Sequence, residues 1–229
     1  MDLKTNSSIL ERREVAEKTQ ELSFKRPADY KFETGQYAQV IIPELLHPDQ
    51  RGASRLFSIA SSPTNKERIT IAFRDSGSGY KRTLIEAPIG WRVIVNGPFG
   101  KDFALPKDAG QPVVFIAGGI GITPFLAMSH FAAEKKLSLP ILLLYANRDK
   151  KSAAYLKELD EIAKLNPNFT LKNKFSLIDK SFIEQSVKDV LNALWYIAGP
   201  PAMVEESKSI LFKLGVDKER IHTERFSGY

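Results

Sequence analysis

The sequence predicts two folding units in series: a β-rich half, then an α/β half built on a parallel sheet wound on both faces. Three observations predict it. Short strand-like segments broken by Pro and Gly fill roughly the first hundred residues. Beyond residue 112 strand-like and helix-like segments alternate. Between them lies the polar turn Pro106-Lys107-Asp108-Ala109-Gly110-Gln111, which places the units at residues 1–106 and 107–229.

In the first half, Ile9 to Ala16 and Glu21 to Lys25 are short segments of mixed polarity. Phe32-Glu33-Thr34-Gly35 turns into an alternating strand that runs to Pro43. Ser54 to Ala60, Arg68 to Arg74 and Trp91 to Val95 read as further strands, with Ile69, Ile71 and Phe73 sharing one face. Only Lys81 to Glu86 reads as helical here, so the unit is a small barrel or sandwich. In the second half strands are expected at Val113 to Ala117, Ile141 to Tyr145, Thr170 to Phe175, Leu194 to Ala198 and Arg220 to Glu224. Helices are expected at Pro124 to Lys136, Ala153 to Lys164, Phe182 to Asn192 and Ala202 to Leu214. Ligands of such sheets sit beyond the carboxyl ends of the strands. Gly118-Gly119-Ile120-Gly121, Ala146-Asn147-Arg148-Asp149 and Gly199-Pro200-Pro201 all fall there and should converge on one crevice.

The strand Val113 to Ala117 is apolar throughout, as a strand buried on both faces requires. Three glycines within four positions end it. Thr123 reads as the N-cap of the next helix, Pro124 suits its first turn, and Phe125, Met128, Phe131 and Ala132 carry helical spacing. Backbone N–H groups at such a turn can meet a phosphate, with the helix dipole favouring its charge. A tight turn without a ligand reads from the same residues, because G-G-x-G-x-T-P is not the G-x-G-x-x-G fingerprint.

Composition narrows the chemistry. With no cysteine among 229 residues, disulfides, thiolate nucleophiles, zinc–thiolate sites and cysteine-ligated iron–sulfur clusters are excluded. No apolar run reaches the ~18 residues of a membrane span, and Met1 to Ser8 lacks the apolar core of a signal peptide, so a cytoplasmic protein is expected. The net charge of +6 is spread along the chain without aromatic interleaving, so nucleic acid is not an expected partner. His47, His130 and His222 form no cluster; they read as structural or surface residues, and no metal site is expected.

Arg55-Leu56-Phe57-Ser58 places a cation, an aromatic and a hydroxyl on one strand, with Arg55 and Phe57 on one side and Leu56 and Ser58 on the other. Alone it is compatible with an ordinary barrel strand. Together, the pieces resemble the ferredoxin–NADP+ reductase family of flavoproteins. Arg55-x-Phe57-Ser58 is similar to its R-x-Y-S flavin motif, with phenylalanine replacing tyrosine. Gly118 to Pro124 and Gly199-Pro200-Pro201 are similar to its two pyridine-nucleotide motifs. Gly35-Gln36-Tyr37, Gly97-Pro98-Phe99-Gly100 and the terminal Glu224-Arg225-Phe226-Ser227-Gly228-Tyr229 resemble further family segments in the family's order.

The resemblance implies an antiparallel Greek-key barrel holding FAD and a C-terminal domain holding NADP(H) or NAD(H). Arg55 would pair with the FAD pyrophosphate, Phe57 pack on the isoalloxazine and Ser58 hydrogen-bond near N5, with Leu56, Ile71 and Phe73 completing the pocket. Ser78, Gly79, Tyr80, Lys81, Arg82 and Thr83 fall where the family places pyrophosphate-binding amides; otherwise they read as a basic surface turn. Gly119, Ile120, Gly121, Thr123 and Pro124, with Gly199, Pro200 and Pro201, would line the nicotinamide channel. Asn147 and Arg148 would meet the nucleotide; Arg148 favours a 2′-phosphate, Asp149 beside it does not. Ser58, Thr123, Glu224 and Tyr229 are the candidates at the hydride path, Tyr229 as a movable cover and Glu224 as a proton carrier, a tuner of the flavin or merely a surface carboxylate. Ala198 stands where many members have cysteine. The implied activity is hydride exchange between NAD(P)H and FAD, with electrons passing to a separate ferredoxin- or flavodoxin-like carrier or a small acceptor. Two alternatives are a reductase that uses flavin as substrate and a non-catalytic flavin or nucleotide module.

Overall fold

The structure is a computed structural model and describes residues 3–106 and 110–226. Its first half is a six-stranded antiparallel sheet in the order β4-β3-β6-β1-β2-β5. The strands are β1 (Leu3–Ala16), β2 (Thr19–Lys25), β3 (Tyr37–Ile41), β4 (Ser54–Ser58), β5 (Arg68–Arg74) and β6 (Arg92–Phe99). Beyond β4 the chain bends onto the far edge, where Ala60 N donates to Thr70 O at 2.8 Å and Thr70 N to Ser61 Oγ at 3.0 Å. This contact rolls the sheet into a barrel. Inside it pack Ile9, Leu22, Phe24, Tyr30, Val40, Ile71 and Val95, and Tyr80 and Leu84 of helix α1 (Gly79–Glu86) plug one end.

The mixed-polarity segment expected at Ile9 to Ala16 belongs to a strand that begins at Leu3. Its two parts serve different neighbours. Leu3 to Ser8 pair with β6, and Ile9 to Ala16 pair with β2 after a register shift, so no single face stays apolar throughout.

The second half is a five-stranded, fully parallel sheet in the order β11-β10-β7-β8-β9. These strands are β7 (Val113–Gly118), β8 (Ile141–Ala146), β9 (Phe169–Lys174), β10 (Leu194–Gly199) and β11 (Ile221–Arg225). Every residue of β7 is buried, as its apolar run predicts. Helices α2 (Ile122–Glu134) and α3 (Leu156–Leu165) cover one face, and α4 (Lys180–Ser186) and α5 (Pro201–Lys213) the other. The order of the strands reverses between β7 and β10, which opens a crevice at their carboxyl ends.

Helix boundaries differ from expectation for local reasons. Tyr155 sits at φ 63°, so the helix expected from Ala153 starts only at Leu156. The helix expected through Asn192 ends at Ser186, because Val187 is extended and the Asp189 carboxylate takes the Asn192 N–H in a turn of its own. Thr123 is not an N-cap. A 3-10 turn, Gly119–Gly121, runs straight into α2, and the buried Thr123 hydroxyl donates back to Ile120 O at 3.0 Å.

The halves share a core. Ala60 and Ala72 of the barrel join the cluster beneath α2 and α3. Polar ties flank it: Arg74 Nη2 donates to Ser152 O (2.9 Å), Glu17 N to Lys151 O (2.9 Å), Ser62 Oγ to a Glu134 carboxylate oxygen (2.6 Å) and Tyr196 OH to Ala104 O (3.0 Å). The turn expected to link the units includes residues 107–109, which lie outside the described residues.

Candidate active site

A cleft of about 530 Å³ runs along the junction, a size that suits a bound organic cofactor. The barrel contributes β4, the end of β5 and the start of α1; the parallel sheet contributes Ile120 and the end of β11.

Its centre is a pair brought together across the junction. Ser58 Oγ on β4 donates to Glu224 Oε1 on β11 at 2.7 Å, linking residues 166 apart in sequence. Burial pushes the Glu224 carboxyl up to about 7, with the Ser58 bond pulling the other way. Glu224 Oε2 is buried with no hydrogen-bond partner among the described residues. An orphaned acceptor of this kind is costly unless a ligand or water meets it. The carboxyl is therefore poised to hold or release a proton near neutral pH, on a residue that lines the cleft.

Beside it Phe57 lies 5.9 Å from Phe73 and 6.1 Å from Tyr80, an aromatic wall continuous with the barrel core. Leu56, on the opposite face of β4, lines the mouth with 60% of its surface exposed. Ile71 does not reach the cleft; its position on β5 turns it wholly into the barrel.

The other end is cationic: Arg51, Arg55, Arg74 and Lys81 all line it. Arg55 Nη1 donates to the carbonyl oxygens of Arg51 (3.0 Å), Gly52 (3.0 Å) and Ser54 (2.7 Å), and Nη2 to Asp49 Oδ1 (2.7 Å). Its guanidinium stands 4.9 Å over the Tyr80 ring. The Lys81 ammonium donates to Arg74 O at 2.7 Å, and burial pulls its pKa down.

At the start of α1, Tyr80 N donates to Asp49 Oδ2 (2.9 Å), Lys81 N to Ser78 Oγ (3.3 Å) and Arg82 N to Ser78 O (2.9 Å). Thr83 Oγ1 donates to Gly79 O and accepts from His47 N. The Arg82 side chain is half exposed beside Glu86. Side-chain cations line this end of the cleft. Gly79 serves packing, since a Cβ there would lie 2.1 Å from Pro48 O.

The glycine turn likewise divides into packing and opening. A Cβ on Gly121 would lie 2.2 Å from Ala198 O, and one on Gly118 2.3 Å from Met203 Sδ. Those two glycines let the turn press against β10 and α5. Gly119, at φ +53°, lies at the cleft rim with the Arg74 guanidinium beside it. Pro124 is buried in the first turn of α2, whereas Pro200 and Pro201 are exposed where α5 begins. Asn147 is buried at the end of β8; Arg148 is 82% exposed, its only ion pair among the described residues a 3.4 Å contact with Asp149.

Tyr229 lies outside the described residues. Phe226, which the sequence reading passed over, lines the cleft and is held by its own N–H donating to Gly199 O at 2.9 Å. Its signal was present: it lies two residues beyond Glu224, in step with the same parallel pairing. Arg225 also lines the cleft and pairs with Glu205. Among the described residues no cluster of metal-ligating side chains occurs, and no helix is long and apolar enough to cross a membrane.

Residues 115–209 match the family model of the oxidoreductase NAD-binding domain. The aromatic O-demethylase reductase subunit of Amycolatopsis is 28% identical over 96% of this chain and 69% of its own length. The ferredoxin reductase component of 3-ketosteroid-9-alpha-monooxygenase from Mycolicibacterium smegmatis is 28% identical over 86% of this chain and 56% of its own. This chain thus spans only about half to two thirds of such relatives. Among solved structures, an Amycolatopsis cytochrome P450 reductase superposes with a TM-score of 0.84 at 25% identity, covering 98% of this chain and 70% of that one. The ferredoxin–NADP+ reductase of Plasmodium falciparum shares the fold, with a TM-score of 0.79 at 21% identity over 97% of this chain and 96% of that one.

Proposed function

We propose, on the premise that this chain is a ferredoxin–NADP+ reductase-like protein with an oxidoreductase NAD-binding domain at residues 115–209, that it is an FAD-dependent NAD(P)H oxidoreductase serving a separate electron carrier. The Ser58–Glu224 pair carries the reading: a hydroxyl from one half and a protonatable carboxyl from the other meet at 2.7 Å on the wall of the cleft.

The cleft fits FAD in three respects. Phe57 and Phe73 offer an aromatic wall for a flat ring, Arg51, Arg55 and Lys81 offer charge for a diphosphate, and the Ser58–Glu224 pair offers polar groups on the lining. FAD would supply the hydride acceptor that no side chain of this sequence provides. The protein's own work is positional. Ser58 holds Glu224 in place, and Glu224 buffers a proton at Oε2. Ile120 and Phe226 are the apolar lining residues that the parallel-sheet half contributes to the cleft. Gly119, Gly199 and Pro200 shape the entry for nicotinamide, with Asn147 and Arg148 toward the nucleotide's far end. The FAD-binding unit is residues 1–106 and the NAD(P)-binding unit residues 107–229.

Reductase components among the relatives support a separate acceptor protein, and we take it to be ferredoxin- or flavodoxin-like. A cytoplasmic location fits a protein whose reductant is NAD(P)H. The test is the visible spectrum of purified protein with added FAD, before and after anaerobic NADH or NADPH. Flavin absorbance that bleaches supports the proposal; protein that binds no flavin, or flavin that neither nucleotide bleaches, overturns it.

A further inference from the structure

Asp49 is bonded to two residues that line the cleft, Arg51 and Arg55, and no part of the reading above uses it. It sits in the loop between β3 and β4 with only 5% of its side chain exposed. Three donors converge on its carboxylate: Tyr80 N (2.9 Å) at the start of α1, Arg51 N (2.9 Å) in its own loop and Arg55 Nη2 (2.7 Å) on β4. These contacts, the Tyr80 amide foremost, hold its pKa down at about 2.

Two roles are open to a carboxylate in this place. As a competitor it would occupy the position of an incoming phosphate and leave when one arrived. As a brace it would stay. Leaving would strand two backbone N–H groups and break an ion pair whose partners are 5% and 14% exposed, a heavy cost at a buried position. Staying costs the cleft little. Asp49 and three carbonyl oxygens hold the Nη side of Arg55, while its Nε–H has no hydrogen-bond partner among the described residues. The guanidinium is thus fixed in orientation with donor capacity left over, as a preorganised phosphate contact requires.

Resting on the FAD reading above, we infer that Asp49 is a positioning residue for the diphosphate. It ties the β3–β4 loop, Arg55 and α1 into one frame, and so sets how strongly the cleft prefers FAD over riboflavin, which has the same ring and no phosphate.

The experiment measures dissociation constants of FAD and riboflavin by fluorescence quenching for wild type, Asp49→Asn, Asp49→Glu, Arg55→Ala and the double variant Asp49→Asn/Arg55→Ala, with thermal unfolding of each apoprotein to show that it folds. Asp49→Asn keeps the shape without the charge, and Asp49→Glu keeps the charge while displacing it. Both are expected to weaken FAD binding about tenfold and riboflavin less than about twofold, and the double variant should bind FAD no worse than Arg55→Ala alone. Tighter FAD binding by Asp49→Asn would mean competition and overturn the inference. So would equal losses for both flavins, or additive losses in the double variant. If Asp49→Asn does not fold, Asp49→Glu decides by the same FAD-to-riboflavin ratio. Wild-type protein that binds neither flavin would instead overturn the cofactor reading, and the inference with it.

Discussion

Arg55 and Arg148 stand at opposite reaches of the proposed electron path and are built in opposite ways. Arg55 is 14% exposed and fixed by four hydrogen bonds, one of them to a buried carboxylate. Arg148 is 82% exposed, and among the described residues its one ion pair is with Asp149, at 3.4 Å. A preorganised cation loses little freedom when its ligand arrives, whereas a free one must be ordered at that moment. The difference suits a resident flavin at one end and a nucleotide that comes and goes at the other.

The largest effect that could break this contrast is at Arg55. Replacing it with alanine should weaken FAD binding by about a hundredfold, because a preorganised cation and its remaining charge-assisted donor are lost together. Fluorescence titration checks this, and a change within threefold would refute preorganisation. Next comes Glu224→Gln, expected to slow anaerobic flavin reduction roughly tenfold while FAD affinity stays within a few-fold. It should also flatten the wild-type pH dependence near 7, where the buried carboxyl titrates.

The same group has a signature in stability. The unfolded carboxyl ionises near 4.5 and the folded one near 7, so between those values the folded state binds more protons. Stability should therefore fall as pH rises through that interval and level off above it. Urea denaturation of wild type against Glu224→Gln isolates the contribution; a wild-type curve no steeper than the variant's would contradict the burial of the charge.

Gly121→Ala tests the packing half of the glycine turn. A methyl group 2.2 Å from Ala198 O must push β10 away, at a cost of about 1–3 kcal/mol measurable as a lowered Tm. The smallest effect sharpens the far end. Arg148→Ala should change the NADPH-to-NADH ratio of kcat/KM by only a few-fold, as an exposed charge in water allows. A change of a hundredfold would show that Arg148 becomes ordered on the nucleotide.

Features that depend on periodicity or on residue type at a turn were legible from the sequence. The all-apolar β7 and the order of strands and helices in the second half followed from local pattern, whereas the meeting of Ser58 with Glu224 was not foreseen, because the sequence left Glu224 open as a surface carboxylate. What escaped it depends on distant neighbours. Nothing adjacent to Asp49 in sequence reveals that Tyr80 N and Arg55 close around it. Thr123 looked like a cap because the 3-10 turn before it, which makes a cap unnecessary, leaves no mark in composition. Ile71 and Phe73 share one face by alternation, yet only Phe73 reaches the cleft, because it lies at the end of β5 while Ile71 is buried mid-strand.

The hydroxyl–carboxyl contact spans 166 positions of chain and two separate sheets. Neither half can form it alone, so it exists only once both sheets have formed and docked. Flavin-site chemistry appearing late in refolding, after each half has regained its secondary structure, would date that docking and make catalysis itself the clock for the last stage of assembly.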